Sequence, residues 1–521
     1  MDGDPYLDLV RQHLPRLLAL FDRDRTSASY GMGDRYHWAW GLIDFGNGTF
    51  QGAAHGLARL WRSGLWPYDT TREAFVARID AMFLAAQRLT RRDGSLEEAF
   101  PHEGSYCVTA LVAYDLLGAL ELMADAAGVE AAARWQRAVS PMIDFLIKAD
   151  ETHAFITNHL ATAVAALVRW SDLTRSPQAE TRAHGLMTRI LQHQCEEGWF
   201  DEYGGADPGY QSLATCYLAD VHARRPGWNL TEPLVRSLRF LWYFVHPDGS
   251  FGGTYGSRCT RTWYPGGVEA LAHAVPEAAA LADAMACSVA QQSVVTLASI
   301  DEPNLVPMFN AYCAAACSRA TRPRPVAGSA VVPALRRQTQ RCHFAKAGLW
   351  VDTGPEHYTV VSSHKGGVVA HFHGAKPALL DDGVVVHNAR GRLASTQALA
   401  PANPARLDGD TLVIDCEFTP MPKRLPVPWQ FLVLRLACIT VLRWPALRER
   451  VKQGLVRWLI DRQPSWPVPQ RRRIQLGAAL RVIDETSLPA GYERVPTPTG
   501  FVAIHMASQG YWQRQDERLW Q

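Results

Sequence analysis

Three short turns constrain the first 320 or so residues more than any other feature of this chain. Asp93-Gly94-Ser95, Glu197-Gly198-Trp199 and Asp248-Gly249-Ser250 each interrupt an apolar helical pattern. Their positions differ by two units and then one unit of about 51 residues, and the polar break at 148–152 stands where the missing member belongs. An acidic residue followed by glycine is a natural reversal, because glycine enters left-handed backbone without a Cβ clash. Between the turns, apolar residues recur at three and four over 72–89, 106–123, 139–147, 161–170 and 234–245, the periodicity of helices with one buried face. A period of this size predicts a repeated helical hairpin. The expected architecture over 1–322 is therefore an array of helical hairpins, the helical part of an α+β multidomain fold. Each repeat returns the chain to the same end of the array, so residues just after each turn gather on one rim.

Those residues carry chemistry. The first turn is followed by His102-Glu103-Gly104-Ser105-Tyr106, the second unit by Asn158-His159, and the third by Asp201-Glu202-Tyr203 and Asp207-Pro208-Gly209-Tyr210-Gln211. The fourth brings Tyr255-Gly256-Ser257-Arg258, then Trp263-Tyr264-Pro265-Gly266-Gly267-Val268-Glu269. Tyr36, Trp38 and Trp40, followed by Asn47 and Gln51, have the same character near the N-terminus. Seventeen Trp residues supply flat faces that suit sugar rings as well as cores. Taken alone, Asn158 could be a helix cap and His159 a packed ring. In register with His102, Tyr210 and Arg258 they form a candidate site, in which Tyr36, Trp38, Trp40, Asn47, Gln51, His102, Glu103, Tyr255, Trp263, Glu269 and His373 are expected to bind substrate.

A chain of 521 residues exceeds one small core and suggests at least two domains. A net charge of +2 offers no electrostatic reason for a nucleic-acid partner. The acidic start Met1-Asp2-Gly3-Asp4-Pro5 lacks the basic and apolar regions of a secretory signal. The ten cysteines include no CxxC pair, and Cys313 and Cys317 read as small buried residues. A cytoplasmic setting is expected. Around 321–333 the composition turns to Pro, Arg, Ser and Val, the expected domain boundary. Beyond it come short β-like runs at 344–353, 358–363, 368–373, 383–387, 411–418, 474–483 and 501–506, which predict an antiparallel β-sandwich over 323–521. A helical insertion is expected at about 428–461, and its apolar run Trp429–Trp444 is too short to span a bilayer and carries Arg435. Packing on the first domain is the favoured reading, and peripheral membrane contact the alternative. Arg471-Arg472-Arg473 is expected to be a solvated charge cluster.

A helical toroid followed by a β-sandwich, with an Asn158-His159 helix start and Asp207-Pro208-Gly209-Tyr210 about fifty residues later, resembles the heparinase II/III-like polysaccharide lyases. The Gly-Ser-Arg run at 258 and the Pro-Gly-Gly-Val-Glu run at 269 add softer support. The resemblance implies β-elimination on an acidic, uronic-acid-containing polysaccharide or oligosaccharide. Asn158 would hydrogen-bond the sugar carboxylate as enolate charge develops. His159 and Tyr210 would share the base and acid roles, with Arg258 lowering the Tyr210 pKa. It further implies a sandwich histidine in the cleft, for which His371 in His371-Phe372-His373-Gly374 is the match. No cofactor is expected. A structural zinc at this HxH pair, with Asp381 or Asp382 and His364 or His387 as further ligands, is an alternative.

Three other readings fit the same residues. A uronosyl C5-epimerase shares the proton abstraction. A toroid-type glycoside hydrolase would use two carboxyls from among Glu103, Asp201, Glu202 and Glu269. A glycan-binding protein would keep the cleft without the chemistry, and in it Asn158, His159 and Tyr210 would not converge.

Overall fold

The computed structural model describes residues 3–152, 154–322, 331–421, 425, 427–444, 447, 450–451, 454, 465–505 and 507–512. Each repeat predicted from the turns is an outer helix followed by an inner one. The outer members are α1 (Pro5–Leu18), α4 (Arg72–Leu89), α6 (Val129–Lys148), α8 (Pro177–Gln192), α10 (Thr231–Leu241) and α12 (Pro276–Ala290). The inner members are α3 (Ala53–Arg62), α5 (Tyr106–Ala127), α7 (Thr157–Thr174), α9 (Pro208–Arg224), α11 (Gly266–Leu271) and α13 (Glu302–Thr321). A short helix, α2 (Arg35–Trp38), precedes α3. The inner helices touch in the order α3, α5, α7, α9, α11, α13, and α13 returns to α3, closing a toroid.

The turns lock this repeat by contact as well as by conformation. Gly94 and Gly198 have φ of 87° and 102°. A Cβ on Gly94 would overlap the Pro141 carbonyl in α6, and one on Gly198 the Arg236 carbonyl in α10. Each turn thus packs on the outer helix of the following hairpin, where only glycine fits. In the first and last turns the aspartate closes the loop. Asp93 Oδ1 accepts from Ser95 N at 3.1 Å and Ser95 Oγ at 2.6 Å, and Asp248 Oδ1 accepts from Ser250 N at 3.0 Å and Ser250 Oγ at 2.6 Å.

After α13 come a short helix, α14 (Pro333–Arg336), and two antiparallel sheets. Residues 323–330 of the expected boundary lie outside the described ones. The first sheet is a meander of β1 (Gln340–Phe344), β2 (Leu349–Thr353), β3 (His357–Ser362), β4 (Val368–His373) and β5 (Lys376–Asp381). The second is built from β6 (Val385–His387), β7 (Leu393–Ser395), β8 (Ala405–Asp408), β9 (Thr411–Pro420), β10 (Trp466–Gln475), β11 (Arg481–Thr486) and β12 (Glu493–Val495). Its order is β11-β10-β9-β7-β6-β12, with β8 on β9.

The first sheet is covered on both faces. Val351, Val360, Ala370 and Phe372 pack into the toroid core, while Trp350, Val361 and Val369 pack against Leu412, Ile414 and Ile474 of the second sheet. Burial on both faces removes the apolar–polar alternation that marks a half-exposed strand. That is why 344–353 reads as one strand, whereas the structure makes a hairpin of β1 and β2. Likewise 474–483 is the turn between β10 and β11 with parts of both strands. Phe501–His505 form no strand, and Met506 lies outside the described residues.

The arginine run is not a uniformly solvated cluster. Alternation in β10 leaves Arg471 and Arg473 exposed and buries Arg472 between the sheets. Its guanidinium donates to Asp484 at 2.8 and 2.9 Å, to Asp381 at 2.9 Å and to the Gly367 carbonyl at 2.9 Å. The insertion between β9 and β10 begins as α15 (Pro428–Ile439). Residues 445–446, 448–449, 452–453 and 455–464 of it lie outside the described residues.

Toroid and sandwich are joined by polar contacts. Tyr358 Oη donates to the Tyr243 carbonyl at 2.6 Å. The buried Lys365 Nζ donates to the Gly256 carbonyl at 3.1 Å and reaches Cys259 Sγ at 2.8 Å. Thr254 donates to Asp382. These contacts hold the sandwich against the loop that carries Arg258.

Candidate functional site

The site is assembled where two consecutive repeat loops are stitched together. Ile156 bridges Glu202 in antiparallel fashion, Tyr203 N donates to the Phe155 carbonyl at 3.1 Å, and Thr157 Oγ1 donates to the Asp201 carbonyl at 2.7 Å. This pairing sets the first turn of α7 beside the strand-like entry to α9. Asn158 is buried there, with Nδ2 donating to Glu202 Oε1 at 2.6 Å and its backbone N to Oε2 at 3.4 Å. It does not cap α7, whose cap position is Ile156.

His159 points to a carboxylate that sequence reasoning did not single out. Its Nδ1 is 2.7 Å from Oε2 of the buried Glu151. A carboxylate on Nδ1 fixes the tautomer and leaves Nε2 as the acceptor. The signal was thin: Glu151 sits in the polar break at 148–152 that completed the repeat, eight residues before the histidine.

Asp207 anchors the third component. It caps α9 by accepting from Tyr210 N at 3.1 Å, and its other oxygen accepts from Arg258 N at 3.0 Å. Thr260 donates to it as well. One aspartate thereby fixes both the Tyr210 turn and the Arg258 loop. The Arg258 guanidinium stacks on the Tyr203 ring with 3.8 Å to the centroid, a cation–π contact. Tyr203 holds a left-handed φ of 57°, which aims its ring at this rim and costs backbone energy for a residue with a Cβ.

Burial dominates the electrostatics. It pushes the Glu202 carboxyl well above its usual range, with Asp207 adding to the shift and Asn158 and Arg258 opposing it. The Tyr210 phenol is likewise raised by burial, with Ser508 and Arg258 pulling the other way. Arg258 does lower the Tyr210 pKa, as expected, but desolvation outweighs the cation and the phenol keeps its proton. Cys107, at the start of α5, is raised by burial and then by Glu98, Glu151, Glu202 and Glu103. The rim is thus crowded with carboxyls.

Several expected binders turn out to be structural. Gln51 is fully buried and spends its amide on Gly33 N at 2.9 Å and on the Gly31 and Met82 carbonyls at 3.0 Å. Asn47 caps a 3-10 turn through Thr49 N at 2.9 Å. Trp38 donates from Nε1 to the Leu20 carbonyl at 2.8 Å. Tyr255 is buried with its hydroxyl 2.9 Å from His246 Nε2, and Trp263 is a core residue. Glu269 is buried in ion pairs with Arg319 at 3.2 Å and Arg322 at 3.1 Å, holding α11 to α13. His102 meets Arg91 at 2.9 Å, while Glu103 accepts from Ala99 N at 2.7 Å, so both order their own loop. Tyr36 and Trp40 are exposed on the segment before α3. Polar and aromatic residues at turns serve closure as readily as ligands, which is why sequence could not separate the two.

His371 is also displaced from its expected place. Strand alternation puts Val369, His371 and His373 on the face of β4 away from the toroid, and Phe372 on the toroid face, stacked on His246 at 4.7 Å. His371 is buried inside the sandwich, with Nδ1 2.7 Å from Thr359 Oγ1. Burial, then His357 and His373, lowers its pKa to about 4. His373 is exposed, Asp381 is engaged by Arg472, and Asp382 accepts from Thr254 and from Gly500 N at 2.6 Å. These residues do not gather as ligands. Among the described residues no group of three or more His, Cys, Asp or Glu could hold a metal ion.

Deeper in the toroid a cavity of about 190 Å³ lies on the axis, lined by His55, Arg59, Tyr114, Asp115, Tyr217 and Asp220 among others. His55 Nδ1 is 2.9 Å from Asp115 and its Nε2 accepts from Arg59 Nε at 3.1 Å. Burial raises Asp115 to about 8.

No family model matches the chain, and no curated protein does. Among solved structures, the Streptomyces coelicolor A3 chondroitin AC lyase in complex with chondroitin sulphate is similar at a TM-score of 0.47 and 12% identity, over 80% of this chain and 66% of that one. This chain therefore spans just under two thirds of that lyase. Heparinase III is similar at 0.44 and 11%, over 92% and 77% of the two chains. Cellobiose 2-epimerase from Bacillus thermoamylovorans B4167 is similar at 0.44 and 11%, over 61% and 100%. The toroid-then-sandwich order agrees with the heparinase II/III-like resemblance. Similarity at this level concerns the fold alone.

Proposed function

We propose that this rim cleaves a uronic-acid-containing glycan by β-elimination. The observation that carries the reading is the shared position of Asn158, Glu151-backed His159, Tyr210 and Arg258 around the paired loops 155–157 and 201–203. The C5 proton of a uronate is weakly acidic while the neighbouring carboxylate holds full charge. A primary amide has two N–H donors. Asn158 spends one on Glu202 and can turn the other to the substrate carboxylate, where it stabilises the developing enolate. The Arg258 guanidinium adds positive charge for an acidic sugar.

With Glu151 on Nδ1, His159 Nε2 is the base that takes the C5 proton. Tyr210, kept protonated by burial, is the acid that gives a proton to the departing O4. The electron pair of the C5–H bond becomes the C4–C5 double bond as the C4–O4 bond breaks. A hydrolase reading draws on one observation, the upward push of burial on the Glu202 carboxyl, the direction a general acid needs.

The test is to incubate the full-length protein with a panel of uronate polysaccharides. A rise in ultraviolet absorbance from the new double bond is expected. Deuterium exchange at C5 without cleavage would instead mean epimerisation, and reducing ends without a double bond hydrolysis. Glycan binding with none of the three would mean a non-catalytic cleft. Asn158→Ala and Tyr210→Phe should each lower turnover by about 100-fold or more, and turnover that survives both would sink the assignment.

A further inference from the structure

Two stretches far apart in sequence form one exposed apolar face. In α15 and the turn after it, Trp429, Phe431, Leu432, Leu436, Ile439 and Trp444 are all exposed, the two indoles to 63% and 67%. Beside them the segment after α2 exposes Trp40 to 64% and Leu42 to 78%, with Tyr36 also exposed. The stretches are tied together by Arg435, 3.1 Å from Asp44 and with its guanidinium 5.7 Å from the Phe45 ring centroid. The buried Cys438 marks the side of α15 that rests on the protein. Packing against the first domain is therefore only partial, and most of the apolar helix is uncovered. Water-facing monomers seldom keep apolar patches of this extent, and a helix apolar nearly all round is normally covered.

Length and charge say what covers it. Twelve residues at about 1.5 Å each make about 18 Å, short of the roughly 30 Å of a hydrocarbon core. Such a helix can lie in an interface and cannot span it. Residues 428–464 carry seven Arg and Lys against Glu449 and Asp461, while the whole chain is only +2; the remainder is net acidic. Arg35, Arg443 and Arg450 are exposed near the apolar residues. A second copy would bring like charges together. A glycan could stack on the indoles but would gain nothing from Phe431, Leu432 and Ile439. Anionic lipid satisfies all three features: acyl chains for the aliphatics, the headgroup region for Trp, and phosphates for the basic residues.

We propose that this face is a membrane-docking surface that seats the protein in the headgroup region of an anionic bilayer. The inference stands apart from the β-elimination reading, because none of its residues belongs to the Asn158 cluster.

The experiment is flotation of the full-length protein with vesicles of phosphatidylcholine alone and of phosphatidylcholine with about 30% phosphatidylglycerol. Binding to the anionic vesicles is expected, weaker by at least about tenfold on the neutral ones or in high salt. The combined variant Trp40→Ser, Trp429→Ser, Leu432→Ser, Trp444→Ser should lower binding by at least about tenfold, with unchanged thermal unfolding as the folding control. A milder variant, Leu432→Lys, should weaken binding without touching the indoles. The proposal is overturned if the protein stays unbound with anionic vesicles or if the combined variant floats as well as the parent. It is equally overturned if light scattering shows a dimer that the variant dissociates, or if these substitutions abolish polysaccharide binding and leave vesicle binding intact.

Discussion

Arg472→Met tests how the two sheets are held together. The guanidinium side chain is 2% exposed, and the Asp381 and Asp484 side chains facing it are 22% and 16% exposed. The substitution keeps an apolar stem but removes four charge-assisted hydrogen bonds, leaving two poorly hydrated carboxylates without their buried cation, Asp381 with Gly383 N and Asp484 with the Gln470 amide as remaining donors. Breaking a buried pair by deleting one partner costs about 3–5 kcal/mol. Some water can reach both aspartates, so the lower end, about 3 kcal/mol, is expected. For a unit of this size that corresponds to a Tm drop of about 6–12 °C. Its neighbours supply the control. Arg471 pairs with Asp415 at 2.6 Å on the surface, so Arg471→Met should change stability far less than Arg472→Met, and Arg473→Met should stay within about 0.5 kcal/mol. Urea unfolding followed by Trp fluorescence and circular dichroism measures all three. Equal effects across the three arginines, or a loss below about 1 kcal/mol for Arg472→Met, would refute the bridging role.

Glu151→Gln should lower turnover on a uronate substrate by about 10- to 100-fold with KM little changed, measured by steady-state kinetics; an unchanged rate would mean that His159 does not need its carboxylate. Asp115 has a folded pKa of about 8 against 3.8 unfolded, so the folded state holds a proton that the unfolded state releases. His55, hydrogen-bonded to Asp115 and kept neutral by burial, opposes this below pH 6.5, where the unfolded imidazole takes up a proton. Stability should therefore fall as pH rises from about 6.5 to about 8, by up to about 1.4 kcal/mol per pH unit, and Asp115→Asn should flatten that limb in thermal melts. Gly94→Ala forces a Cβ into the Pro141 carbonyl at left-handed φ and should destabilise by about 2 kcal/mol or more. Gly185→Ala, mid-helix with open space around it, should stabilise by about 0.5–1 kcal/mol. Urea titration checks both, and a stabilising Gly94→Ala would contradict the turn packing.

The sequence alone determined the helical-hairpin array and the place of the rim, while closure of the array into a toroid rests on the tertiary contact of α13 with α3. Helical periodicity and glycine turns are local properties, and a fixed repeat length leaves few ways to stack hairpins, so α4 lies where 72–89 predicted it. It also brought Asn158, His159, Tyr210 and Arg258 together, because residues in phase with the repeat must meet at one end. Tertiary structure decided what each polar side chain faces. Gln51, Tyr255 and Glu269 look like binders in a linear reading and prove to be internal fasteners, since hydrogen bonding to a carbonyl and to a sugar call for the same groups. His371 faces into the sandwich because alternation fixes which residues share a face but not which sheet face meets the toroid. Arg472 is buried while its two neighbours are exposed, a distinction invisible until β10 has partners on both sides. Glu151 acquires its role only when the chain folds back on His159.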